Sequence, residues 1–103
     1  MKTPMTLRDR ITLRQYEDTY GHSSGRTLIS EKSVKCHAYI PSVTLQTQFE
    51  ATGKQADLAV HLWRRDMSAA FTHAVINDVE YRIISTSASV NDLFIRLVLE
   101  RGM

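Results

Sequence analysis

Four histidines, one cysteine and eleven carboxylates are the groups of this chain with the potential for acid–base, nucleophilic or metal chemistry. His22, His37, His61 and His73 contain no pair at the i+2 or i+4 spacing that aims two imidazoles at one metal ion. His37, His61 and His73 fall on the polar parity of alternating segments, so they read as solvated histidines. Cys36 lies on an apolar parity, where a free thiol packs as a small core residue. Its neighbour His37 must then face the other way, because successive strand residues point to opposite sides, and a Cys–His nucleophile pair fails on geometry. The Gly53-Lys54 pair has Gln48 where a phosphate-binding loop needs glycine, and Gln55 where it needs a magnesium-binding hydroxyl. No Gly-x-Ser-x-Gly turn occurs, and no carboxylates pair on an apolar background that would raise a pKa for acid–base work. The expectation is a protein that is not an enzyme, with no catalytic, cofactor-binding or metal-binding residue.

Two other groupings remain. Trp63-Arg64-Arg65 is the one basic–aromatic cluster, offering one stacking surface and two phosphate contacts, at Arg64 and Arg65. Trp63, Ile84, Phe94 and Val98 are large apolar residues at nominally outward positions. Contiguous apolar groups on a small domain mark a contact surface, here a subunit interface, unless a folded-over sheet buries them from its second side.

The frame for these residues is small. At 103 residues, with 13 Lys+Arg against 11 Asp+Glu, the chain makes one domain with a net charge of +2, too little to announce a nucleic-acid binder. A hydrophobic fraction of 43% and a charged fraction of 23% are those of an ordinary globular protein. A single cysteine allows no internal disulfide, and no apolar run approaches the ~20 residues that span a bilayer. The opening residues, Met1 to Thr6, lack the apolar stretch of a signal peptide, so no membrane partner is expected and the cytoplasm is the default location.

Alternation dominates the pattern. Strands are predicted at Arg10–Tyr16, at Arg26–Ser30, at Val34–Ile40 ending before Pro41, and from Asp57 to Trp63. Thr72–Ile76 and Val79–Ile84 flank Asn77-Asp78, two residues that tolerate the positive φ of a tight hairpin turn. Glu17–Gly25 reads as a loop and Ser85–Asp92 as a polar linker, followed by a last strand with Leu93, Ile95, Leu97 and Leu99 on one face. The one place for a short helix is Pro41–Gly53, with Ser42 or Thr44 as its cap, Leu45 and Phe49 as a thin stripe and Gly53 at its end. The fold class is therefore mainly β: a five- to six-stranded antiparallel sandwich or barrel with one long inserted loop over residues 41–55.

The order of these pieces resembles the head–tail joining (adaptor or stopper) proteins of tailed bacteriophages. The stretches that carry the resemblance are Leu7–Gln15 with its Arg-Ile-Thr core, the acidic–aromatic–Gly turn Glu17–Gly21, and Val34–Pro41 before the long loop. They continue with Gln48-Phe49-Glu50-Ala51 leading into the basic-ended Leu58–Arg65, then the hairpin Ala74–Ile84 and the final strand Leu93–Arg101.

The resemblance implies a structural virion protein, a homo-oligomeric ring subunit of the connector assembled in the host bacterial cytoplasm. Its partners would be a portal or adaptor protein on the head side, a tail protein on the other, and DNA that passes through without sequence-specific binding. The long loop, with Gln46, Gln48, Phe49, Glu50 and Lys54, would face the channel or a neighbouring subunit. Its polar composition suits a segment that orders on assembly, and its near-neutral charge suits a channel through which DNA slides. The alternatives are a tail-completion protein of the same particle, or a small β-barrel nucleic-acid-binding module using Trp63, Arg64 and Arg65 with Tyr39.

Overall fold

Six strands, all paired antiparallel, close into a barrel in the order β1-β2-β3-β6-β5-β4. The structure is a computed structural model that describes residues 7–19, 25–88 and 93–101. The strands are β1 (Asp9–Thr19), β2 (Gly25–Tyr39), β3 (Leu58–Trp63), β4 (His73–Ile76), β5 (Val79–Ala88) and β6 (Phe94–Arg101). One helix, α1 (Val43–Glu50), occupies the β2–β3 crossover, and a single 3-10 turn, Arg64–Asp66, follows β3. The mainly β class with one short helix is as the alternation predicts.

The interior is built by that alternation. Ile11 and Leu13 of β1, Val34 and Cys36 of β2, Val60 and Leu62 of β3, Ala74 and Ile76 of β4, and Leu97 and Leu99 of β6 form one buried apolar cluster. Closure removes the unpaired edges that an open six-stranded sheet would leave at either end. The hairpin between β4 and β5 turns on Asn77 at φ 51° and Asp78 at φ 66°, the two consecutive left-handed residues of a type I′ turn.

Several boundaries differ from the sequence reading. Arg26–Ser30 and Val34–Ile40 are one continuous strand of 15 residues, because β1 pairs with it from Asp9↔Cys36 out to Thr19↔Gly25. A bulge at Ile29 absorbs the register shift in that pairing. The predicted loop Glu17–Gly25 is correspondingly shorter: β1 runs to Thr19, and residues 20–24 lie outside the described residues. Ser85–Ala88 extends β5 instead of forming a linker, while residues 89–92, like the N-terminal six, lie outside the described residues. Ile40 is 72% exposed because the β2–β3 ladder ends one residue earlier, at Tyr39↔Ala59.

The β1–β2 hairpin is longer than the barrel wall. β4 pairs with β1 only at Thr12–Arg14, and β3 pairs with β2 only at Cys36–Tyr39. The distal halves pair only with each other, so residues 26–33 are exposed along their whole length. This ribbon gives the molecule principal extents of 57 × 30 × 23 Å.

Candidate functional site

The crossover between β2 and β3 carries the residues expected to act in assembly. The Ser42 side chain caps α1 by accepting the Leu45 N–H at 3.2 Å, as a serine before a helix is suited to do. Gly53 sits at φ 78°, and the N–H groups of Thr52 and Lys54 both donate to the Phe49 carbonyl, which closes the helix end. The Gln46 side chain donates to the Pro41 carbonyl at 2.8 Å and ties the helix to its own entry. Gln48, Glu50 and Lys54 are exposed, and Phe49 is half-buried. The segment thus holds a capped helix, at the one place where the sequence allows a short helix. The local reason is the cap at one end and a glycine at the other, two signals strong enough to offset the threonines between them. No residue of α1 is buried, and Val43 at its start is 78% exposed.

The four apolar residues proposed as an interface separate into two pairs. Phe94 is 5% exposed and Val98 fully buried within the single chain, which corrects their reading as free outward groups. Trp63 and Phe94 are cross-strand partners whose rings stack with centroids 4.4 Å apart. Val98 pairs with Ala59, also fully buried, on the wall opposite the core cluster. The crossover, with its buried Pro41 and Ala56, leaves and rejoins the wall next to Val98 and Ala59, while Phe94 lies at the far end of β6 against the Trp63 ring. Trp63 and Ile84 are half-buried. Ile84 is the extra residue of a bulge, since Ile83 pairs with Leu99 and Ser85 with Val98.

Arg64 and Arg65 are exposed in the 3-10 turn, but the Trp63 ring beside them is already engaged. Phe94 stacks on it and the Arg65 guanidinium lies 5.3 Å from its centroid, so little of the ring is left for a nucleic-acid base. Tyr39 stacks on His37 with centroids 5.6 Å apart, and its cross-strand partner Ala59 lies four residues along β3 from Trp63, about 13 Å. The structure does not bring these aromatics into one platform.

The outer wall is otherwise polar and cross-linked. Glu80 on β5 accepts from Arg14 at 3.1 Å and also from Tyr16 and Arg26, while Arg14 reaches Glu31 at 3.2 Å. Arg26 lies over the Tyr16 ring, and Tyr16 meets His73 edge-on. Burial pushes the Glu80 carboxyl up, but its three donors outweigh that and hold it below the usual range. This network ties the distal half of the ribbon, at Tyr16 and Arg26, to β5.

On the other side of the barrel, the histidines read as solvated are half-buried and directly opposed: His37 pairs with His61 across β2 and β3. The Tyr39 hydroxyl lies 3.4 Å from His61 Nε2. Burial, with His37 and Arg96 nearby, lowers the His61 pKa below its ordinary value, and burial beside Arg26 lowers that of His73. The folded chain therefore resists protons that the unfolded chain accepts near pH 6.5. Stability from these groups is complete above that pH and is lost as the pH falls below it, before the carboxylates titrate. The expected result is a fall in the urea midpoint between pH 7 and pH 5. The slope should be shallower in His61→Gln; an unchanged slope would mean that His61 is fully hydrated.

Sequence reasoning missed this opposition because it rests on the register of strands 24 residues apart, although the polar parity of His37 and His61 on outer faces was legible. Among the described residues no group of three His, Cys, Asp or Glu side chains is placed to hold a metal ion, and no helix is long and apolar enough to cross a membrane.

No protein-family model matches the chain, and no curated protein matches it. Among solved structures it is similar to the solution structure of protein SF1141 from Shigella flexneri 2a, at 14% identity and a TM-score of 0.67 over 93% of each chain. That likeness extends to the fold over nearly the whole length of both chains.

Proposed function

We propose that the chain is a ring subunit of the head–tail connector of a tailed bacteriophage, closing the DNA exit after packaging and docking the tail. The resemblance in the order of sequence pieces suggests the reading. The observation that carries it is a pair of segments that keep much of their surface in solvent in the single chain. These are the helix α1, with no buried residue, and the β1–β2 ribbon, exposed over residues 26–33. A subunit that meets neighbours around a ring and partners above and below needs such surfaces, and a monomeric module has no use for them. The exposed Gln48, Glu50 and Lys54 are the residues proposed to face the channel or the adjoining subunit, and their mixed charge would let DNA slide past without counterion-driven binding.

The test removes Thr47 to Thr52 from the phage-encoded copy. The barrel should survive, because Tyr39 and Ala59 are already paired and the remaining crossover still bridges them. The expected outcome is folded protein, by circular dichroism and melting, together with capsids that fill with DNA and then leak it or fail to accept tails. Fully infectious particles carrying the shortened protein would remove the helix from the mechanism.

A further inference from the structure

Three side-chain polar atoms are buried without a hydrogen-bond partner among the described residues: His61 Nδ1, Arg96 Nε and Ser87 Oγ. They belong to three residues in one line. His37 on β2 pairs with His61 on β3, His61 with Arg96 on β6, and Arg96 with Ser87 on β5, so four outward residues form a single row across the wall. An unpaired buried polar atom is costly, and three on adjacent strands are not a scattered imperfection.

The chemistry of the row is that of a donor set. Arg96 Nε carries a hydrogen and cannot accept, and Ser87 Oγ can donate its proton. If the Tyr39 hydroxyl donates to His61 Nε2, 3.4 Å away, the neutral imidazole carries its hydrogen on Nδ1; a protonated ring carries one on both nitrogens. Arg96 makes no ion pair among the described residues. No carboxylate stands at the paired positions on either side either. One flank is the stacked Trp63–Phe94 pair, and the other is Tyr39–Ala59–Val98–Ser85. These largely apolar flanks lower the local dielectric and strengthen any charge–charge contact made between them. His37, His61, Arg96 and Ser87 each keep part of their surface in solvent, so the row lies at the outside of the wall and not in the barrel interior.

We propose that this row binds an oxyanion, a phosphate group or a carboxylate, held side-on by the Arg96 guanidinium with Ser87 and His61 as flanking donors. The site is independent of the connector reading: it needs only the single folded chain.

The test titrates the full chain separately with inorganic phosphate and with acetate at constant ionic strength, following the Arg96 Nε–H and His61 ring resonances by NMR. A saturable shift at both groups with a Kd on the order of 1 mM is expected for at least one of the two anions, and the stronger identifies the natural group. Arg96→Lys keeps the charge but loses the side-on fork, and should weaken binding about tenfold. If that variant fails to fold, Ser87→Ala provides the same comparison with a smaller loss. Linear, unsaturated shifts spread equally over exposed Lys and Arg would overturn the proposal, as would full affinity in both variants.

Discussion

Replacing Phe94 by alanine is expected to cost the isolated chain about 3–5 kcal/mol, read as a lowered urea midpoint with an unchanged slope. Phe94 is 5% exposed, stacks on Trp63 at 4.4 Å and opens β6 beside the Arg64 N–H to Leu93 carbonyl bond at 2.8 Å. Truncation therefore removes a buried aromatic, its stack on Trp63 and the seal at the end of two paired strands. The stack itself adds about 0.5–1.5 kcal/mol beyond the area it buries. The loss should appear in the single subunit, before any assembly. A variant as stable as the parent, yet defective in particles, would return Phe94 to the role of an interface residue. Val98→Ala should show the same location of effect at lower amplitude, because Val98 is also fully buried in the single chain.

The second large effect is chemical. Burial, with the Asp9 carboxylate adding to it, pushes the Cys36 thiol up to about 12, well above the ordinary thiol range. Only the thiolate reacts with maleimides and disulfide reagents, so a shift of that size removes about a thousandfold of the reactive form near neutral pH. Native Cys36 should label at least that much more slowly than the same cysteine in denaturant. Asp9 contributes through two features of the fold: it pairs with Cys36 across β1 and β2, and its carboxylate accepts the Ala38 N–H at 3.0 Å. Asp9→Asn should therefore speed native labelling modestly and leave the bulk of the protection, which comes from burial. Rapid labelling of the native parent would place the β2 register one residue out, with Val34 and Ala38 turned to solvent.

Much of the wall was legible from local rules. Alternation in Ile11–Leu13, Val34–Cys36, Val60–Leu62 and Leu97–Leu99 assigns those residues to one face whatever the strands later pair with, because the side-chain period of a strand is two. Asn77-Asp78 specifies its hairpin because few residue pairs accept consecutive positive φ, and Ser42 with Gly53 brackets the helix for equally local reasons. These features depend on neighbours within a few positions, which a sequence displays directly.

What the tertiary structure decided depends on closure and register. Whether Phe94 and Val98 lie in water cannot follow from parity, since a barrel wall has two sides and the outer one is also buried in places, at Phe94 by the Trp63 ring. The opposition of His37 and His61, and the alignment of Arg96 and Ser87 with them, joins four strands that are distant in sequence. A shift of one residue in any of those ladders would dissolve the row while leaving every local pattern unchanged. The bulge at Ile84 shows the same division, because one extra residue reverses the facing of Ser85 and Ser87. Local chemistry thus determined the centres of the strands, the hairpin turn and the helix; pairing between strands decided how far each strand runs and which outward side chains meet, since that is a property of the closed barrel and not of any one strand.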